Sequence, residues 1–109
     1  MDKFLCELER HRKVLEEIGD KIENKEPYMD SVKEYLPSLN EMTTAVLELV
    51  QNPQIALELN LQFYMQVLND IVYGVENEDS VFLLDVFRYG LLEIYNYIET
   101  ELQGRECYE

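Results

Sequence analysis

Histidine and cysteine are common metal ligands and catalytic groups, and this sequence contains one histidine, His11, and two cysteines, Cys6 and Cys107. A zinc site with two histidines is therefore excluded. A di-iron bundle needs Glu-x-x-His pairs on two helices, but Leu8 stands three residues before His11. Glu7 lies one helical turn before His11, close enough for a salt bridge. We interpret His11 as a core-facing histidine, hydrogen-bonded or reaching for solvent, rather than an acid–base or metal-binding residue.

The two cysteines are predicted to be free, unreactive thiols. Neither Cys6 nor Cys107 belongs to a Cys-x-x-Cys motif, and each is next to a glutamate, Glu7 or Glu106. Nearby negative charge disfavours the thiolate, which is the nucleophilic form. Only two cysteines and an expected cytoplasmic setting also argue against a disulfide.

Three further features could bind a ligand. Glu76, Glu78 and Asp79 place three carboxylates in one turn, but the turn lacks the residue order of a calcium-binding hand, so we interpret them as a helix cap and solvated charges. Arg88 is expected on a core-facing stripe, where it needs an acidic partner or a path to solvent. An anion site is the alternative. Gly90, inside a predicted helix, would permit close approach of another helix or a ligand, and helix packing is the preferred interpretation.

Length and charge restrict the class of protein. The 109 residues fit one domain, 1–109, and the net charge is −14, with six of the nine basic residues in the first 26 positions. A chain this acidic repels nucleic acids and anionic lipids and favours a basic protein partner. No segment approaches ~18 consecutive apolar residues and the N-terminus lacks a signal-peptide pattern. We therefore expect a cytoplasmic protein that binds neither nucleic acid nor membrane.

Apolar residues recur every three or four positions, which predicts an all-α fold. The pattern predicts a single-domain antiparallel four-helix bundle of up-down-up-down topology, with helices of about 2–23, 27–51, 52–75 and 80–103. Pro37 should kink or break the second helix, because proline removes a backbone hydrogen bond and crowds the preceding turn.

The predicted core-facing residues form one stripe on each helix. They are Phe4, Leu8, His11, Leu15, Ile18 and Ile22 in helix 1; Val32, Tyr35 or Leu36, Leu39, Met42, Val46 and Leu49 in helix 2; Leu57, Leu61, Tyr64, Leu68, Ile71 and Val75 in helix 3; and Val81, Leu84, Arg88, Leu91, Tyr95, Ile98 and Leu102 in helix 4.

The last two helices carry more apolar residues than one core stripe requires. A helix that is apolar on two faces is either central in the bundle or covered by a partner. Helix 3 adds Ile55, Leu59 and Phe63 away from its stripe. We predict that the second face of helix 4 is partly exposed and binds a protein partner, or a second copy of the chain as in a homodimer; its residues are Phe82, Val86, Tyr89 and Tyr97.

The segment 75–92, VENEDSVFLLDVFRYGLL, resembles a turn-plus-helix pattern of uncharacterised small acidic helical proteins of Gram-positive, clostridia-like bacteria. Arg88 and Gly90 stand where that pattern has acidic residues. The resemblance covers about one-sixth of the chain and implies a helical bacterial protein without an assigned activity. In size and fold class alone, the chain is also similar to flagellin-export chaperones, which are small helical bundles that bind a secreted client.

These observations predict a non-enzymatic protein-interaction adaptor or chaperone-like bundle. The alternative is a small-ligand or metal-binding helical bundle. No catalytic, cofactor-binding or metal-binding residues are predicted. An adaptor should expose an apolar groove, a ligand-binding bundle should enclose a cavity between helices, and an enzyme should have a polar cleft with perturbed titratable groups.

Overall fold

A computed structural model describes the backbone of residues 2–106 and the side chains of residues 3–103. That part of the chain contains four helices and no strand, which confirms the predicted all-α, four-helix class. The fourth helix is continuous over residues 80–106 but changes geometry along its length. The helices are α1 (Asp2–Glu23), α2 (Met29–Gln51), α3 (Leu61–Glu76) and α4, which consists of an α-helical segment Ser80–Val86, a π-helical turn Phe87–Leu91 and a second α-helical segment Leu92–Glu106.

Local backbone chemistry sets the ends of α1 and α4. At the end of α1, Lys25 adopts a left-handed conformation with φ of 58°, and the amide of Glu26 donates to the carbonyl oxygen of Lys21 at 2.8 Å. This is the usual way of satisfying the last carbonyl groups of a helix. At the start of α4, the amide of Phe82 donates to the Asp79 carboxylate at 3.1 Å. Asp79 is therefore the N-cap, which agrees with the helix-cap interpretation of this acidic turn.

The predicted start of helix 3 at Asn52-Pro53 is wrong. Asn52 instead follows the end of α2, where its side-chain oxygen accepts a hydrogen bond from the amide of Gln54 at 2.9 Å. Ala56 then has a φ of 49°, which no continuing α-helix allows. An asparagine followed by proline fits a turn as well as a helix start, because the side chain can accept from a nearby amide in both.

The helix cap lies eight residues further on, at Asn60. Its side-chain oxygen accepts a hydrogen bond from the amide of Phe63 at 3.1 Å, and α3 begins at Leu61. The connection before it is apolar. Leu57 is buried in the core and Ile55 and Leu59 pack against it, so the connection is held to the bundle by its side chains.

Helix α2 continues through Pro37, so the predicted break does not occur. Pro37 is exposed, and so is Lys33, whose carbonyl group loses its usual amide partner. Solvent can hydrate that carbonyl. Buried residues on both sides of the proline, including Tyr35 and Leu39, hold the helix to the core. A bend at Pro37 stays a prediction.

The predicted core stripe of α1 is confirmed at Leu8, His11, Leu15 and Ile18, which are all buried, with Phe4 and Ile22 half-buried at its ends. Helix α4 follows a different spacing. Four of its residues lie four positions apart and have no exposed surface: Leu83, Phe87, Leu91 and Tyr95.

The π-helical turn explains this spacing. In a regular α-helix, side chains four residues apart rotate by about 40° per step, so three steps would carry them about 120° off one face. A π turn contains more residues per turn and absorbs that rotation. The prediction assumed a regular helix and is wrong at Val81, which is 71% exposed, and at Val86, which faces the core and is 8% exposed.

Helix α4 packs against both α1 and α3. Gly90 lies against Val67 of α3, and an added Cβ would be 3.2 Å from a Val67 methyl group. The glycine therefore allows close helix packing, which was the preferred interpretation of its role. Packing against two helices accounts for much of the apolar surface of α4. No helix among the described residues is long and apolar enough to cross a membrane.

Side-chain pairs show how α1 runs beside α4. Arg12, in the middle of α1, pairs with Glu99, and Arg88 pairs with Glu23 at the end of α1. These ion pairs hold α1 against α4. The antiparallel, up-down-up-down arrangement of the bundle stays a prediction.

Candidate protein-binding surface

The four residues predicted to bind a partner divide between the surface and the core. Tyr89 is 67% exposed and Tyr97 is 41% exposed. Phe82 is half-buried, and its ring meets that of Tyr73 of α3 edge-on, with centroids 5.4 Å apart. Val86 belongs to the core cluster, so its assignment to an exposed face is wrong. The exposed part of the predicted face consists of its tyrosines.

A groove on the surface between α3 and α4 brings Tyr97 together with Phe63, which is 46% exposed. The groove has a volume of about 560 Å³, and more of its lining is apolar than polar. The hydroxyl of Tyr97 donates a hydrogen bond to the carbonyl oxygen of Glu58 at 2.6 Å, which fixes the ring at one wall. We call this site the aromatic groove; it is lined by Glu58, Leu59, Asn60, Phe63, Glu93, Ile94 and Tyr97.

The rim of the aromatic groove is acidic. Glu58 lies in the connection before α3 and Glu93 lies on α4, and both are exposed. Asp85 and Asn96 are also exposed on α4. An apolar floor with a charged rim is the usual arrangement of a protein-binding surface.

A second notable site is a chain of polar groups within the core, to which all four helices contribute. The Nδ1 atom of His11 and the Tyr35 hydroxyl share a hydrogen bond of 2.7 Å, and the Tyr35 and Tyr95 hydroxyls share one of 3.2 Å. Tyr64 of α3 shares a hydrogen bond of 3.1 Å with Thr43 of α2. These contacts satisfy hydroxyl groups that would otherwise be costly to bury.

Burial makes each of these groups harder to ionise. It lowers the pKa of His11, and this effect outweighs the opposite influence of the nearby Glu7 carboxylate. It also raises the pKa values of Tyr35, Tyr64 and Tyr95. The four groups therefore stay neutral near pH 7, as expected of a satisfied polar core.

The surface beside His11 has a different character from the aromatic groove. A groove of about 750 Å³ lies between α1 and α2. Its lining mixes acids and bases, such as Glu7, Arg10 and Glu41, with apolar residues. Arg10 already forms an ion pair with Glu7 at 3.2 Å. These charges largely compensate one another, so this groove has no single chemical preference.

Arg88 forms ion pairs, the structural role that we preferred for it. It contacts Glu23, and its guanidinium lies 3.7 Å from the Asp20 carboxylate. The hydrogen bond between Arg88 and Glu23 lowers the pKa of the Glu23 carboxyl and raises that of Arg88. The guanidinium also covers Gly19, since a Cβ there would lie 3.2 Å from its Nε atom.

Metal-ligating side chains are scattered across the described part of the chain. Among residues 3–103, no group of three or more His, Cys, Asp or Glu side chains is arranged to hold a metal ion. Cys6 is exposed and free. Cys107 lies outside the described residues, so the prediction of a free, unreactive thiol there concerns a part of the chain that the structure does not describe.

Part of each site could have been found from the sequence. Phe63 and Leu59 were predicted to lie outside the core stripe of helix 3. However, that helix was predicted to start at Asn52, whereas α3 starts at Leu61. The buried polar chain had a clear signal, since His11, Tyr64 and Tyr95 all lie on predicted core stripes of different helices. The sequence did not reveal that these groups lie at the same level of the bundle.

Comparisons with protein-family models, with curated proteins and with solved structures found no match to this chain.

Proposed function

We propose that this protein is a non-enzymatic interaction module that binds a protein partner through the surface of α3 and α4. The observation that carries the proposal is the exposure of Tyr97 and Phe63 at one apolar groove with an acidic rim, together with the exposure of Tyr89 on α4. Aromatic side chains anchor interfaces because they bury a large area while few rotatable bonds are frozen.

The exposed aromatic residues differ from the other aromatic residues of the bundle. Tyr35, Tyr64 and Tyr95 are buried and their hydroxyls bond to other side chains, so internal packing and hydrogen bonding account for them. Tyr89 has no comparable role in the fold, because two-thirds of its surface faces solvent. A binding role gives a physical reason for a large aromatic residue there.

Site-specific photo-crosslinking in cells tests this proposal. A photoreactive phenylalanine analogue placed at Tyr89 or Tyr97 should yield a discrete crosslinked protein, and the same analogue at Lys13, exposed on α1, should not. The captured protein is then purified and its affinity is measured directly. Tyr89→Ala should weaken binding by about 30-fold, corresponding to about 2 kcal/mol, with an unchanged unfolding midpoint.

Two outcomes contradict the proposal. One is the absence of any crosslinked protein from both surface positions. The other is a crosslinking pattern at Lys13 equal to that at Tyr89, which would indicate random encounters with an acidic protein.

A further inference from the structure

Resting on the proposed function, we infer that the aromatic groove binds a basic amphipathic helix, whose apolar face enters the groove and whose lysine or arginine side chains pair with Glu58 and Glu93.

The groove offers two kinds of contact within one site. Leu59 and Ile94 contribute apolar surface, and Phe63 and Tyr97 contribute aromatic rings. An aromatic ring accepts both an aliphatic chain and a cation on its face. The aliphatic stem of a lysine or arginine can therefore lie on the rings while its charged group reaches a carboxylate at the rim.

The negative charge of residues 52–106 favours a positively charged partner. Residues 52–106, which include α3 and α4, contain ten acidic residues and two basic ones, Arg88 and Arg105. Arg88 is engaged by Glu23 and Asp20 of α1. Among residues 3–103, Arg88 is thus the one basic side chain of α3 and α4, and it is engaged elsewhere. A basic segment would meet the carboxylates at the groove, and electrostatic attraction would speed its association.

The same charge argues against a second copy of this chain as the occupant. Each copy carries a net charge of −14, so two copies repel each other at any approach that brings their acidic surfaces together. The most basic part of the chain, α1, itself carries more acids than bases. A separate basic protein is the better match.

One wall of the groove is α4, and the other is the end of the connection before α3 with the first turn of α3. A helical occupant is favoured over an extended one, because helix-in-groove recognition lays one apolar face into a hydrophobic groove and needs no free backbone groups on the receptor. Among the described residues there is no strand whose edge an extended peptide could extend. Tyr97 is already held by its hydrogen bond to Glu58, so part of the wall is ordered before binding.

The test uses a synthetic helical peptide of leucine and lysine, titrated into nitrogen-15-labelled protein in about 0.15 M salt, where long-range attraction is screened. Chemical-shift changes should saturate and should centre on Phe63, Glu93 and Tyr97. A peptide of the same composition in scrambled order, and one with glutamate in place of lysine, should bind at least about tenfold more weakly.

Matched variants separate the groove from the overall charge. Glu58→Gln with Glu93→Gln should weaken the leucine–lysine peptide at least about tenfold. Glu16→Gln with Glu34→Gln removes the same charge from exposed positions on α1 and α2 and should change the affinity less than about twofold. Equal weakening by both pairs, or shift changes centred on the α1 and α2 groove, would overturn the inference.

The inference and the proposed function can fail separately. If crosslinking at Tyr97 captures a partner while the leucine–lysine peptide fails to bind, the surface is an interface for a different occupant and this inference is wrong. If neither experiment shows binding, both proposals fail.

Discussion

The Nδ1 atom of His11 lies 2.7 Å from the hydroxyl oxygen of Tyr35, and this hydrogen bond joins α1 to α2 inside the core. The Tyr35 hydroxyl also reaches Tyr95 of α4 at 3.2 Å. One hydroxyl group therefore links three helices. Because each of these groups is buried, leaving one of them unpaired should lower the stability of the bundle.

Removing that hydroxyl should destabilise the protein. In Tyr35→Phe, His11 and Tyr95 each lose a buried hydrogen-bond partner, and we expect the free energy of unfolding to fall by about 1–3 kcal/mol. Urea denaturation followed by circular dichroism measures the change. The control is Tyr73→Phe, which removes a hydroxyl from a residue more than half exposed and should change stability little. A Tyr35→Phe protein as stable as the wild type would contradict the role of the network.

The burial of His11 predicts a dependence of stability on pH. Its pKa is lowered in the folded protein, mainly by burial, so the unfolded chain binds more protons over the range between the two pKa values. The stabilising contribution of neutral His11 is complete above about pH 6.5, the ordinary histidine pKa, and is lost as the pH falls through the folded pKa. Glu7 and Glu41 oppose this shift and Arg10 reinforces it.

Comparison with His11→Phe isolates this effect. The variant keeps a ring in the core and leaves Tyr35 bonded to Tyr95, and it retains every carboxyl group of the wild type. The difference in unfolding free energy between the two proteins should shift in favour of the variant as the pH falls below about 6.5. A nuclear magnetic resonance titration of the His11 ring with a midpoint above the ordinary histidine pKa would contradict the prediction.

How much of the fold the sequence predicts depends on how local the determining interaction is. The ends of α1, the end of α2 and the Asp79 cap follow from neighbouring residues, and these predictions hold. Asn52 and Asn60 show the limit. Both side chains accept a hydrogen bond from a nearby amide, but only Asn60 is followed by a helix, and local chemistry did not distinguish them.

The candidate site was only partly predictable for a related reason. The exposed tyrosines were placed on α4 from their spacing, but Val86 was assigned to the same face because the helix was assumed to be regular. The four-residue spacing from Leu83 to Tyr95 was the available signal for a wide turn. Whether such a run winds as an α-helix or a π-helix depends on packing against α1 and α3, which one sequence does not reveal.

Two glycines offer a matched test of close packing. A Cβ at Gly74 would lie 2.6 Å from Cδ2 and 2.7 Å from Cγ of Leu83, which is fully buried and has no room to move. A Cβ at Gly19 would lie 3.2 Å from the flexible end of Arg88. Alanine favours both helices equally by about 1 kcal/mol over glycine, so the difference between the variants reports the contacts.

We expect Gly74→Ala to be destabilising by about 1–3 kcal/mol despite its gain in helix propensity, because the core must shift to accept the methyl group. Gly19→Ala should be neutral or stabilising by up to about 1 kcal/mol, because the Arg88 head group can move aside. Thermal unfolding of the two single variants and the wild type measures both changes. The reverse order of stability would show that Leu83 yields more readily than Arg88.

The continuity of α2 through Pro37 makes a final prediction about stability. A proline inside a helix costs about 3 kcal/mol relative to alanine, through the missing amide donor and the contact of its ring with the preceding turn. Pro37 is exposed, so an alanine there should neither open a cavity nor bury a polar group. Pro37→Ala should therefore raise the free energy of unfolding by about 1–3 kcal/mol, the lower values applying if the unfolded chain gains flexibility.

Pro53→Ala, in the turn after α2, is the control and should be neutral or destabilising, since the turn makes no use of a regained amide donor in a helix. A Pro37→Ala protein no more stable than the wild type would mean that α2 accepts the proline without strain, and the predicted bend would lose its physical reason.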